Sequence, residues 1–226
     1  MLQFILLQAS TPITETATPT LNLFDLALKG GWIMLPILVL SIVAIFIFID
    51  RYQAVKKASK IDYNLLDEVK ILLEQGKKQE ALKLVSQENS PIARMIEKGI
   101  NNIDRSMTEI NNAIEMVGNL EISKLEKGLP VLASVAGGAP MIGFLGTVMG
   151  MIQAFYDMAS AGSNIDVTLL SSGIYQAMVT TAAGLIVGIV AYFAYNIMVS
   201  NVEKVVFKME AATSDFLDLL NNTTKA

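Results

Sequence analysis

The chain has no cysteine and no histidine. The first absence removes disulfides, thiol nucleophiles and cysteine-held clusters. The second removes histidine-based triads, haem ligation through imidazole and nearly every zinc site. Charge is scarce too: 17% of the 226 residues are charged, against about 25% in a typical soluble domain. Hydrophobic residues reach 53%, and mean hydropathy is +0.49. This composition excludes a disordered chain and points to lipid. A net charge of −4 and a pI near 4.9 argue against a general grip on nucleic acid.

What charge there is falls in blocks. Gly30–Ile49, Leu129–Tyr156 and Val167–Val202 hold none, giving uncharged runs of 20, 28 and 36 residues. Roughly twenty helical residues cross a hydrocarbon core of about 30 Å. The expected fold is therefore an all-α membrane protein with three transmembrane helices. The second and third runs exceed the bilayer by roughly eight and sixteen residues. Both are expected to continue as helices into a cytoplasmic helical bundle. The predicted order is an outer segment (1–29), a first span (30–49), a cytoplasmic domain (50–128), a second span (129–156), an outer linker (157–166), a third span with its extension (167–202) and a cytoplasmic C-terminal helix (203–226).

Residues 50–128 carry thirteen of the seventeen basic residues, and residues 203–226 carry three more. Three spans put both segments on one side, which the bias of Lys and Arg makes cytoplasmic. The N-terminus then lies outside and the C-terminus inside. Met1–Ser10 competes as a signal peptide, but it lacks a basic start and its apolar run is short. A Pro/Thr-rich stretch follows. Leu21–Leu28 is expected to form an amphipathic helix in the interface, with Trp32 as headgroup anchor.

In the insertion, Asp62 is expected to cap a helix through Leu73, with Gly76 past its end. A short helix covers Lys77–Val85. Ser90 and Pro91 open Ile92–Ile100, and the Ser106/Glu109 capping box opens a helix running to Glu126. Asp67, Glu68, Glu121 and Lys124 read as surface charges. No phosphate loop, metal spacing or nucleophile–base set appears, so neither an enzyme nor a bound cofactor or metal is expected.

The two long spans are dense in small residues. The second has Gly137, Gly138, Gly143, Gly146 and Gly150; the third lines up Gly173, Ala177, Thr181, Gly184 and Gly188 on one stripe. Small residues let helices approach closely in lipid, so these spans are expected to pack, here against copies of themselves. Their polar residues are Thr147, Gln176, Thr180 and Thr181. Two readings stand: hydroxyls and amide as interhelical glue, or a hydrophilic path. Between Leu129 and Val202 the only ionisable groups besides tyrosines are Asp157 and Asp166, both in the linker. Tyrosines titrate near 10 and carry protons poorly at neutral pH. A proton path here needs a titrating group from another chain.

APMIGFLGTVMGMIQAF (Ala139–Phe155) followed by IYQAMVTTAAGLIVGI (Ile174–Ile189) resembles the MotA/TolQ/ExbB proton-channel family. GGWIMLPILVLSIVAIFIFIDRY (Gly30–Tyr52) and the outer N-terminal segment are most similar to its ExbB branch. The resemblance implies a homopentamer in the bacterial inner membrane around ExbD-like single-span helices, whose aspartate carries protons. It also implies a TonB-like protein that takes up the motion to drive outer-membrane transport. Thr147 and Thr181 match the family's pore-facing threonines. Gln176 departs from the glutamate of ExbB, which removes a titrating group from any relay. TolQ-like envelope maintenance and a non-conducting membrane scaffold are the alternatives.

Overall fold

The structure is a computed structural model, and it describes residues 29–59, 64–160 and 167–224. The expectations for Met1–Leu28, for Asp62 as a cap and for linker residues 161–166 lie outside the described residues. Among the described residues the protein is helical, with no strand. In chain order the helices are α1 (Met34–Ala58), α2 (Asn64–Glu74), α3 (Lys78–Gln87), α4 (Pro91–Asn101), α5 (Met107–Glu126), α6 (Leu129–Ser160) and α7 (Val167–Thr224). Three stretches are long and apolar enough to cross a membrane: Met34–Ala58, Met107–Ser160 and Leu170–Asn221.

Local chemistry sets the helix ends. Gly76, at φ +74, closes α2: its N–H reaches Leu73 O, and the N–H of Lys77 reaches Leu72 O at 2.9 Å. This pair of bonds satisfies the last carbonyls of the helix and needs a left-handed residue. Ser90 accepts from Ala93 N at 3.1 Å, with Pro91 in the first turn of α4. Ser106 accepts from Glu109 N, while its hydroxyl and N–H both donate to the Glu109 carboxylate. The Ser106 hydroxyl, then its backbone N–H, hold that carboxyl below its ordinary pKa.

The three spans pack side by side. α1, α6 and α7 meet around Ala44, Leu132, Val135, Ala139 and Ala191. Outward, α1 leaves Leu35, Leu38, Ile42, Phe46 and Ile49 exposed. In water a stripe of this kind is a liability; in lipid it is the natural surface. The second core lies in the bundle. α2, α4 and α5 pack on the far half of α7, with α3 laid over α2 and α4, and Met198, Val202, Val205, Met209, Phe216 and Leu220 are buried there.

α7 is one helix of 58 residues. Lys204 and Lys208 interrupt its apolar run and leave its helical geometry intact, because both are good helix formers. α1 likewise runs on to Ala58, with Lys56 and Lys57 in its last turn, where cations favour the helix C-terminus. Glu121 departs from the surface reading. Its side chain is 4% exposed and is held by Arg94 at 2.6 Å and Lys124 at 2.8 Å. Burial works to raise its pKa, but the Arg94 and Lys124 hydrogen bonds outweigh that and hold it below the usual 4.5.

Candidate functional site at the contact of the two long spans

α6 and α7 approach through their glycines. A Cβ added to Gly143 would lie 2.9 Å from Thr180 O and 3.2 Å from Gly184 Cα. One at Gly184 would lie 2.9 Å from Gly143 Cα, and one at Gly150 would lie 3.0 Å from Gly173 O. Below 3.0 Å a real Cβ atom is essentially never found, and the remaining contacts are tighter than nine in ten, so a side chain at Gly143 or Gly184 pushes the helices apart. Gly188 faces the ring of Pro140 and the Ala136 carbonyl. Pro140 cannot donate back to Ala136, and the bare Gly188 lets α7 pass over that irregular turn. The two small-residue stripes therefore meet each other inside one chain. The expectation that they face copies of themselves does not describe Gly143, Gly146, Gly150, Gly173, Gly184 and Gly188, which are already occupied within the chain.

The polar residues divide into three settings. Thr147 and Thr181 come together, hydroxyl on hydroxyl, across the α6–α7 contact. The Thr181 hydroxyl also lies 3.0 Å from Gly143 O, and that of Thr147 lies 3.4 Å from Ala177 O. Both are half-buried. Thr180 is fully buried; it donates to Ala177 O at 2.8 Å and fills the space over Gly146. It acts as packing between the helices. Gln176 lies against Gly31, in the turn that precedes α1. Gly31 has φ +69, and the amide occupies the space a side chain there would need. Beside it, the Lys29 ammonium sits 5.4 Å from the centre of the Tyr175 ring. Gln176 thus ties the N-terminal end of α7 to the start of α1, and among the described residues no hydrogen bond joins it to either threonine.

Either threonine hydroxyl can donate to the other. Each hydroxyl has one proton and two lone pairs. If Thr147 donates to Thr181 and Thr181 donates to Gly143 O, both protons are spent within the chain. Lone pairs on Thr147 then remain to accept from a visiting O–H. A carboxylate at mid-bilayer costs at least about 2.5–3.5 kcal/mol on insertion scales.

Two features escape a reading of the sequence. Glu121 and Arg94 are 27 positions apart, and their pairing follows only from how α4 packs on α5. The Arg51 guanidinium donates to Lys124 O at 2.9 Å across 73 positions, so the C-terminal half of α1 caps the last turn of α5. Among the described residues no group of three acids could hold a metal ion.

These features define a multi-pass helical membrane protein whose two long spans close on a hydroxyl pair, with no acidic or basic side chain in the uncharged runs 129–156 and 167–202. The model of the MotA/TolQ/ExbB proton channel family matches residues 87–211, and the chain belongs to that family. It is therefore a subunit of the ExbB/TolQ class of proton-channel motors. An ExbB homolog of Methanothermobacter thermautotrophicus is 28% identical over 85% of this chain and 70% of its own length. The ExbB-like 1 protein of Synechocystis is 30% identical over 85% of this chain and 76% of its own. The Tol-Pal system protein TolQ of Haemophilus influenzae is 39% identical over 37% of this chain and 36% of its own.

Proposed function

We propose that this chain is the ExbB-like subunit of an inner-membrane motor. It forms a homopentamer around an ExbD-like single-span subunit, converts the proton gradient into movement and passes it to a TonB-like protein for outer-membrane transport. The observation that carries this is the Thr147–Thr181 hydroxyl pair, set in uncharged runs (129–156 and 167–202) whose only titratable side chains are tyrosines. The chain supplies the housing, and the partner's aspartate supplies the proton site. Each proton crossing about 100 mV releases about 2.3 kcal/mol. When the aspartate is neutral, the threonine niche accepts its O–H; when it ionises, the niche favours its departure. Thr147 and Thr181 line the proton path, and Gln176, Thr180 and the glycines hold the helices that shape it. The bias of Lys and Arg supports a periplasmic N-terminus and a cytoplasmic C-terminus. The TolQ stretch supports a second reading, in which the same motor serves envelope maintenance.

Proton flux into liposomes tests the proposal. Flux should require both this chain and a single-span partner with an intact aspartate. Thr147→Val and Thr181→Val should each lower it about tenfold, the equivalent of one hydrogen bond of about 1–1.5 kcal/mol, with assembly intact. Full flux from this chain alone would overturn the proposal, and full activity in both variants would remove the threonines from the path.

A further inference from the structure

Two crevices follow one another along the same pair of helices. The first, about 560 Å³, runs between α1 and α7 and is almost wholly apolar, with Ala44, Phe48, Val190 and Ala194 among its walls. The alanines keep it open, since larger side chains at those positions would fill it. The second, about 920 Å³, continues it past Tyr52 and Ser200. Only one turn of α1 separates Phe48 from Tyr52, and their rings lie 6.0 Å apart at the junction. The wall chemistry changes there. Lys56, Lys204 and Lys208 line the second crevice, opposed by one carboxylate, Glu203. Among the described residues, none of the three lysines is in an ion pair.

The change from apolar to basic coincides with the end of the uncharged run of α1 at Ile49. An apolar trough in the hydrocarbon region, opening at its edge onto three cations, has the shape and charge of a phospholipid with an anionic headgroup. Basic pockets between transmembrane helices on this side of a bilayer recognise such headgroups. We propose that the α1–α7 groove binds an anionic phospholipid, with its acyl chain along Ala44 and Ala194 and its phosphate among Lys56, Lys204 and Lys208. The bound lipid would brace α1 against the charged half of α7, where direct packing between the two helices leaves a gap.

The full chain, reconstituted in vesicles of equal phosphatidylglycerol and phosphatidylcholine, tests this. Lipid that stays with the protein through mild detergent extraction is identified by native mass spectrometry. Phosphatidylglycerol should be retained over phosphatidylcholine by roughly thirtyfold, the scale expected for three lysines at a headgroup with one offset by Glu203. Combining Lys56→Gln, Lys204→Gln and Lys208→Gln should abolish the preference. Combining Lys57→Gln, Lys70→Gln and Lys83→Gln, exposed lysines off the groove, should preserve it. Ala194→Trp should lower retention of both lipids by filling the apolar half. Helical circular dichroism confirms that each variant is folded. Equal loss in the two lysine sets would overturn the proposal, since it would mark a general charge effect. So would displacement of the lipid by inorganic phosphate, which would mark a small-anion site. Cross-linking of cysteines in the groove between two copies of the chain, with no lipid retained, would assign the groove to protein instead.

Discussion

At the scale of single residues, the glycines of α6 fall into two classes that look alike in the sequence. Gly143 has backbone of α7 against it, whereas Gly137 and Gly138 have nothing within 4 Å of an added Cβ. Gly143→Ala should therefore destabilise by about 1–3 kcal/mol, the usual cost of overpacking. Gly137→Ala and Gly138→Ala should be neutral or stabilise by about 0.5–1 kcal/mol, because alanine loses less backbone entropy in a helix. Thermal unfolding of the three variants in one detergent separates the classes, and equal losses would refute the intrachain ladder. Gln176 is a second case. Its amide packs on Gly31, away from the hydroxyl pair, so Gln176→Ala should loosen the start of α1, while Gln176→Glu should leave proton flux within about twofold, well under one hydrogen bond's worth. The sequence marks both stripes as packing faces through their spacing. It does not say what faces them, because a stripe looks the same whether its partner is in the same chain or another.

At the scale of elements, the ends of α4 and α5 are legible because a cap is local: Ser90 with Pro91, and Ser106 with Glu109, act within one turn. The burial of Glu121 is not, because Arg94 arrives from another helix. That pair allows a prediction with a definite sign. The folded pKa of Glu121 lies below its unfolded value, so its contribution is complete above the unfolded pKa near 4.5 and is lost as pH falls through the folded one. Below about pH 4.5 the wild type should therefore lose stability faster than Glu121→Gln. Arg94→Ala should cost about 2–4 kcal/mol, because it leaves the buried carboxylate with Lys124 alone. Lys124→Ala should cost less, since the lysine is 58% exposed and mostly in solvent. Denaturant titrations of the three variants at neutral and acid pH would show this order; a larger loss from Lys124→Ala would reverse the assignment of the main partner.

At the scale of the whole molecule, α7 is the part the sequence divides and the structure joins. Its charges at Glu203, Lys204 and Lys208 mark where the hydrocarbon ends, and hydropathy reads that as a boundary. The helix crosses it unbroken for 58 residues, because helical geometry depends on backbone bonds and not on the solvent outside them. One rod therefore shares both cores, with Ala191 in the first and Phe216 in the second. Three spans also fix the relation of the loops: the turn before α1 and the end of α6 must share one side, and the insertion must lie on the other. The absence of native cysteine makes that testable residue by residue. Lys29→Cys and Ser160→Cys, both at exposed positions, should react with a membrane-impermeant maleimide added outside intact cells, whereas Asp104→Cys should react only after the inner membrane is opened. The asymmetry rests on sixteen of seventeen basic residues lying on one side of the chain's three crossings. Labelling of Asp104→Cys from outside would invert the molecule. The lysine end of the α1–α7 groove would then face the outer leaflet, and the threonine niche would have to work against the direction of the gradient.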